Sequence, residues 1–188
     1  MRVLYSGLLR SPASWARVGR EILRALAHQG VEVTALHVRG FLYDPQFPLP
    51  PEIKEVRRSE FSPDVELTFA HPALYDRLEA PRRVGLLVYE ADRMPQAWVK
   101  PIKEKLDLLL LPSEFCRQGA LQAGVPSHLV RLLPFGVNFK IFFPPARDPP
   151  RPITFLSVAA PHKRKGIEEL LRAYRAAFTT QDSVRLVL

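Results

Sequence analysis

Three polar side chains follow predicted strands, at the position from which a side chain can reach a ligand. His71 lies just after a strand predicted over Val65–Phe69, with Ala70 between them. Glu90 and Asp92 follow another strand, predicted over Val84–Val88. The carboxyl ends of parallel strands face a common crevice. An imidazole there can contact a hydroxyl or a phosphate, and carboxylates can accept hydrogen bonds from ligand hydroxyls. We therefore predict that these three residues form a catalytic or substrate-orienting group.

A structural role is the alternative for each of them. Pro72 can begin a helix directly after the histidine. Asp92 can cap the next helix, and Glu90 can pair with Arg93. The surroundings are not apolar enough to separate the pKa values of the two carboxyl groups, so we do not expect them to form a general acid and base pair.

A second candidate site lies near the C-terminus. Arg164, Lys165 and Gly166 stand between a strand predicted over Ile153–Ala159 and an amphipathic helix that begins at Ile167. A helix N-terminus favours anions through its N–H groups and its dipole, and the two cations strengthen that preference. The pattern predicts a phosphate site, and a solvated basic loop without a ligand is the alternative.

Alternating strands and helices must position these residues. The strand Val3–Ser6, a helix with apolar residues at 3.6 spacing and the strand Val31–Val38 form an opening βαβ unit. It lacks the G-x-G-x-x-G pattern of dinucleotide-binding proteins. Residues 39–63 are rich in proline and predict an irregular segment, either a lid or binding loop or a surface excursion.

The stretch 107–143 contains a second such unit. Leu108–Leu111 predicts a buried strand, Ser113 an N-cap, Glu114–Ala123 a helix and Val130–Leu133 a further strand. Repeated strand–helix–strand units predict an α/β, Rossmann-like, doubly wound parallel sheet.

Five prolines within residues 144–152 predict an interdomain linker. It would join an N-terminal Rossmann-like domain, residues 1–143, to the first βαβ unit of a second Rossmann-like domain, residues 153–188. The second piece is too short to cover both faces of a parallel sheet. We therefore expect a truncated domain: either the native protein continues past Leu188, or the piece docks on its neighbour or on a second chain.

Composition narrows the function classes. Neither a transmembrane run nor a signal peptide is recognisable, and the single Cys116 is expected to be buried, so we expect a cytoplasmic protein.

The net charge of +8 suits nucleotide phosphates, an anionic membrane surface or nucleic acid. It is also compatible with the arginine- and proline-rich composition of a heat-tolerant source. Interleaved acidic residues argue against nucleic acid, and the histidines show no metal-ligand spacing.

Three passages carry a resemblance to a known family. PSEF, AGVPSHLVRLLPFGVNFKIFFPP and FLSVAAPHKRKGIEELLRAYRAAF resemble retaining glycosyltransferases of the GT-B fold, the nucleotide-sugar class numbered family four. The segment from Glu90 to Trp98 resembles the E-x-D-x-x-P-x-x-W pattern of one branch. Asn138 stands where that family usually has aspartate. The resemblance covers nearly the whole chain but only about the first half of a complete enzyme.

The resemblance implies transfer of a sugar from a nucleoside diphosphate sugar to an acceptor hydroxyl, with retention of configuration. Arg164, Lys165 and Gly166 would hold the diphosphate, and Gly7 would lie in the first loop against donor phosphates or acceptor. No covalently bound cofactor and no metal are implied. A peripheral position at the inner membrane face would suit a lipid acceptor.

Two other functions stay open at this point. One is a non-catalytic acceptor-binding module that needs a partner for the missing half. The other is a sugar-nucleotide epimerase, which shares the GT-B architecture. The isolated 188-residue chain is expected to be inactive.

Overall fold

The computed structural model describes residues 1–36, 38–40, 42–144, 152–160 and 162–188. The chain divides into two compact units, Met1–Gly136 and Val137–Leu188. Residues 145–151 of the linker predicted at 144–152 lie outside the described residues, and the linker remains a prediction.

The first unit is built on a seven-stranded, wholly parallel sheet. Its strands are β1 (Arg2–Ser6), β2 (Glu32–Leu36), β3 (Lys54–Val56), β4 (Val65–Thr68), β5 (Arg82–Leu86), β6 (Leu108–Leu111) and β7 (Val130–Leu132). Its helices are α1 (Ser14–His28), α2 (Gln96–Lys105) and α3 (Glu114–Gln122), with 3-10 turns at Arg58–Glu60, Pro72–Arg77 and Ser127–Leu129.

The strand order in this sheet is β3-β2-β1-β4-β5-β6-β7. The chain winds outward in one direction from β1 to β3 and in the other from β4 to β7. The direction reverses between β1 and β4, which is the topological switch point of a doubly wound sheet. The predicted α/β, Rossmann-like fold class is confirmed.

Local sequence signals explain the helix ends. The Ser113 hydroxyl caps α3 by accepting a hydrogen bond from the Cys116 N–H at 3.2 Å. After α3 and α1 the chain turns at Gly124 and Gly30, whose φ angles of 100° and 77° favour glycine. The Cys116 side chain is buried, as predicted. These contacts fix where the helices meet the sheet.

Two strands of the first unit differ most from prediction, and in the second unit the strand predicted over Ile153–Ala159 ends at Leu156. β3 and the 3-10 turn Arg58–Glu60 lie inside the segment predicted to be irregular. β3 is a short, charged edge strand, so no apolar alternation marks it. β5 begins at Arg82 because the Arg83 N–H donates to the Asp107 carboxylate at 2.8 Å, a contact between residues distant in sequence.

The two faces of the sheet differ in polarity. One face carries the apolar side chains that pack with α1, including Val3, Tyr5 and Leu67. Side chains alternate across a strand, so the neighbours of these residues point the other way. The opposite face of β1, β2 and β4 therefore carries Leu4, Ser6, Thr34, Leu36, Glu66 and Thr68, a partly polar set. A second apolar cluster packs α2 and α3 against β6.

The second unit contains two parallel strands, β8 (Ile153–Leu156) and β9 (Val184–Val187), joined by α4 (Ile167–Ala177). A 3-10 turn at Lys163–Lys165 precedes α4. The rings of Phe155, Tyr174 and Phe178 pack together, with centroids 5.1–6.0 Å apart. The chain forms one βαβ unit here, the arrangement that the apolar pattern predicts.

Candidate functional site

A cavity of about 1260 Å³ lies in the first unit, at the end of the sheet where the strands reach their carboxyl termini. The carboxyl ends of four strands, with the segments that follow them, supply most of its lining. These are residues 6–8 at the end of β1, residues 36, 38–40 and 42 at the end of β2, residues 56–58 at the end of β3 and residues 68–71 at the end of β4. Residues 13–15 at the start of α1 and residues 74 and 76–79 complete it. The cavity therefore stands beside the β1–β4 switch point, where doubly wound sheets bind ligands.

A fully buried carboxylate lies beneath this cavity. The Glu66 side chain on β4 accepts two hydrogen bonds from the Arg58 guanidinium, at 2.7 and 2.9 Å. It also accepts from the Ser6 hydroxyl and from the backbone N–H groups of Glu79 and Ala80, the latter two at 2.8 and 3.3 Å. These donors tie β1, β4 and the segments on either side of the cavity to one point.

The charge on Glu66 is held in place by its donors. Burial raises the pKa of the Glu66 carboxyl, but the hydrogen bonds from Arg58, Ser6 and the Glu79 N–H lower it by more. The net pKa is below the ordinary value of 4.5. The same hydrogen bond raises the pKa of the Arg58 guanidinium. Glu66 is therefore a charged structural anchor rather than a proton donor near neutral pH.

Aromatic rings form one wall of the cavity. The Trp15 and Phe69 rings stack with centroids 4.9 Å apart and planes inclined by 7°. Phe135 packs against Phe69 at 6.3 Å. The Trp15 side chain remains 43% exposed although it lines the cavity. A flat, accessible indole of this kind can stack against a ring or an apolar ligand surface.

His71 lines the cavity and also caps the 3-10 turn Pro72–Arg77. Its Nδ1 accepts a hydrogen bond from the Ala73 N–H at 3.2 Å, and its ring meets the Trp98 ring edge-on at 5.0 Å. With Nδ1 as acceptor, the neutral imidazole carries its proton on Nε2. The structural role and the ligand-facing role weighed for this histidine are thus compatible, because they use different nitrogen atoms.

Gly7 also lines the cavity, directly after β1. A Cβ atom at this position would lie 2.8 Å from two ring carbons and the hydroxyl oxygen of Tyr5. Gly19 on α1 faces the same ring, where a Cβ would lie 2.4 Å from the Tyr5 hydroxyl oxygen. Packing against Tyr5 is therefore a sufficient reason for Gly7, whether or not a phosphate approaches it.

Arginine side chains fix the loop that follows β1. Arg10 donates from Nε to the Glu55 carboxylate at 2.7 Å and from a terminal nitrogen to the Phe47 carbonyl at 2.7 Å. The buried Arg20 of α1 donates to the Leu9 and Ser11 carbonyls, the latter at 2.9 Å. The Arg10 contacts thereby hold this loop to the segment 45–55, which precedes the lining residues 56–58.

Glu90 and Asp92 are both exposed and lie outside the residues that line the cavity. α2 begins after Pro95 without a side-chain cap, so the alternative that Asp92 caps this helix is wrong. Tyr89, which directly precedes Glu90, is buried in the core, and its hydroxyl donates a hydrogen bond to the Cys116 carbonyl at 2.7 Å. The structure brings Gly7 and His71 together at the cavity and leaves the two carboxylates outside it.

The other predicted residues, Arg164, Lys165 and Gly166, belong to the second unit. Gly166 has φ 66° and precedes the first turn of α4, so the chain reverses sharply into the helix N-terminus. That turn contains Glu168 and Glu169. Two cations, free N–H groups and a helix dipole favour an anion here, while the two carboxylates oppose it. The phosphate role of this loop remains a prediction.

Two elements of the site were missed from the sequence. Glu66 was read only as part of a strand, and the arginines at positions 39, 57, 58 and 77, which line the cavity, were not considered. A signal for Glu66 does exist: a carboxylate in the middle of the short apolar strand VELT must be buried and needs donors. No comparable signal marks the arginines, since three separate segments bring them together.

Comparisons with known proteins add a structural likeness. No protein-family model matches the chain, and no curated protein matches it. The structure is similar to the crystal structure of Anabaena Alr3699/HepE in complex with UDP, with a TM-score of 0.52 and 14% sequence identity. The likeness covers 75% of this chain and 46% of that chain. It shows a shared fold. This chain spans about half the length of the Anabaena protein.

Within the part of the chain that the structure describes, no group of three or more histidine, cysteine, aspartate or glutamate side chains is placed to hold a metal ion. Among the same residues, no helix is both long and apolar enough to cross a membrane.

Proposed function

We propose that this chain is about the N-terminal half of a retaining GT-B glycosyltransferase, which moves a sugar from a nucleoside diphosphate sugar to an acceptor hydroxyl. The observation that carries the proposal is the large cavity beside the β1–β4 switch point, in a fold shared with a protein crystallised with UDP. The motif resemblance described above supports the same reaction.

In this proposal the cavity receives the acceptor. His71 is oriented by the Ala73 N–H, so its Nε2–H can donate a hydrogen bond to an acceptor or sugar oxygen. Glu90 and Asp92 are exposed, and they would accept hydrogen bonds from hydroxyls of the transferred sugar outside the cavity.

The second unit would hold the donor. Arg164 and Lys165, together with the N–H groups that open α4, would stabilise the negative charge on the departing diphosphate. Gly166 permits the tight turn that places these N–H groups at the helix end. No covalent cofactor and no metal enters this scheme.

A second candidate function is acceptor binding without catalysis by this chain. One observation favours it: all the residues that line the cavity belong to the first unit. An acceptor can therefore bind there without a complete donor site. In this case a partner would supply the donor-binding residues.

Calorimetric titration of UDP into the full chain tests the donor role. We expect saturable binding that weakens about tenfold or more when Lys165→Gln removes a charge-assisted contact. Arg175→Gln is the matched control, because Arg175 is exposed at the other end of α4. Absence of UDP binding, or an equal loss in both variants, would contradict the donor site.

A release assay separates the two functions. The chain is incubated with a panel of nucleoside diphosphate sugars, with and without acceptor alcohols, and free nucleoside diphosphate is measured. Release by the chain itself would exclude the non-catalytic module. UDP binding without release is the result that both functions predict for this chain alone.

A further inference from the structure

We propose that the ligand of the cavity is amphipathic and anionic: an apolar body that carries a phosphate or similar anionic group. The chemical class of this ligand is argued from the cavity alone. Only its identification as the sugar acceptor rests on the proposed function. Two independent properties of the cavity, its charge and its exposed apolar side chains, support it.

The residues that line the cavity carry a net positive charge when the ion pairs of their carboxylates are taken into account. Four arginines face two carboxylates, those of Asp76 and Glu79. Asp76 pairs with Lys105 at 3.0 Å, and Glu79 lies 3.5 Å from Arg58. Glu66, beneath the cavity, is already satisfied by its own donors. No acidic side chain among the described lining residues is left without a cation.

Two arginines, in contrast, have no such partner. Among the described residues, neither Arg57 nor Arg77 forms an ion pair, and both line the cavity. Their segments lie side by side, because Arg58 donates to the Arg77 carbonyl at 3.0 Å. Arg39 lines the same cavity with its guanidinium 5.9 Å from the Tyr43 ring centroid. Guanidinium groups on neighbouring segments form a suitable fork for a phosphate.

The apolar lining indicates the rest of the ligand. Trp15, Leu42 and Leu74 line the cavity, yet 43%, 56% and 37% of their surfaces are exposed. Large apolar side chains that remain open to a cavity favour a ligand that covers them. A small, wholly polar sugar would leave them in water. An apolar body attached to an anionic group matches both parts of the lining.

A matched pair of probes tests this inference. n-Octyl phosphate and n-octanol, both below micellar concentration, are titrated into the full chain without nucleotide, and tryptophan fluorescence and heat are recorded. We expect octyl phosphate to bind about tenfold or more tightly than octanol, with a fluorescence change from Trp15. Equal binding of the two probes, or no binding of octyl phosphate, would overturn the proposal.

Substitutions locate the bound phosphate. Arg57→Gln and Arg77→Gln should each weaken octyl phosphate binding about tenfold, and Arg57→Lys should weaken it less because the charge remains. Arg117→Gln is the control, since Arg117 is a partly exposed arginine of α3 outside the cavity lining. A loss of the same size in the control would overturn the proposal. Unchanged thermal melting of each variant shows that the fold is retained.

A vesicle arm distinguishes the source of the ligand. Co-sedimentation with phosphatidylcholine vesicles containing dihexadecyl phosphate, alongside octyl phosphate binding, supports a lipid-borne acceptor. Octyl phosphate binding without co-sedimentation supports a soluble one. Co-sedimentation without octyl phosphate binding contradicts the cavity site. None of these readouts uses a donor, so a failure of UDP binding leaves this inference separately testable.

Discussion

Replacing Glu66 with glutamine removes the buried charge beneath the cavity and keeps the shape of the side chain. In the wild-type protein five hydrogen bonds from four residues converge on the two carboxylate oxygens. Glutamine replaces one of these oxygens with an NH₂ group, which faces other donors and leaves them unsatisfied. The mostly buried Arg58 guanidinium loses its buried counter-ion and keeps only the exposed Glu79 carboxylate at 3.5 Å.

The expected cost follows from burial. Removing one partner of a buried ion pair costs about 3–5 kcal/mol, a large share of the about 5–15 kcal/mol that stabilises a typical domain. Glu79→Gln is the matched control. Glu79 lies 3.5 Å from the same guanidinium but is 68% exposed, so its loss should cost less than about 1 kcal/mol. Urea unfolding at pH 7 measures both values.

The pH dependence provides a second test. Because the folded-state pKa of Glu66 is lowered, its contribution to the free energy of unfolding is complete above 4.5, the ordinary value, and is lost as the pH falls through the folded pKa. The difference in the free energy of unfolding between wild type and Glu66→Gln should therefore shrink as the pH falls below 4.5. Equal losses in the Glu66 and Glu79 variants, or a Glu66→Gln loss that stays constant with pH, would refute the reasoning.

Three further predictions concern local contacts. Ser113→Ala removes the cap of α3 and should lower the free energy of unfolding by about 1 kcal/mol, measured by urea unfolding. Gly19→Ala would place a Cβ 2.4 Å from the Tyr5 hydroxyl oxygen and should cost about 1–3 kcal/mol, whereas Tyr5→Phe removes a buried hydroxyl without a described partner and should cost little. If the proposed function is right, His71→Asn keeps a capping group but removes the Nε2 donor, so acceptor turnover should fall while thermal stability changes little.

Each of these has a control within the chain. Gly136→Ala places its Cβ in open space and should leave stability unchanged, so a similar loss there would contradict the packing argument for Gly19. An unchanged urea midpoint for Ser113→Ala would argue against the cap. His71→Ala removes both the cap and the donor. If His71→Ala melts at the same temperature as wild type and His71→Asn, the histidine contributes nothing as a cap.

The fold was predictable where neighbouring residues decide the structure. Ser113 caps a helix whose first turn follows it directly, and Gly124 ends that helix, so local signals were sufficient there. β3 could not be predicted in the same way, because a strand of three residues at a sheet edge is defined by its partner β2 rather than by its own pattern.

The candidate site was less predictable than the fold. His71 was found because it lies within three residues of the carboxyl end of a strand, β4. The donors to Glu66 come from positions 6, 58, 79 and 80, and no local pattern connects them. The lining arginines likewise belong to separate segments. Sequence spacing indicated which end of the sheet carries the cavity, but the composition of the cavity depends on tertiary packing.

The link made by Arg10 bears on how such a cavity can change during evolution. Its guanidinium ties the loop after β1 to Glu55 and to the Phe47 carbonyl, so the separation of these two segments is fixed. Both segments adjoin residues that line the cavity. An insertion in either segment would break this link and cost several hydrogen bonds at once. Single substitutions on the lining leave it intact. Relatives that accept different ligands are therefore expected to differ in the side chains that line the cavity while conserving the lengths of both segments.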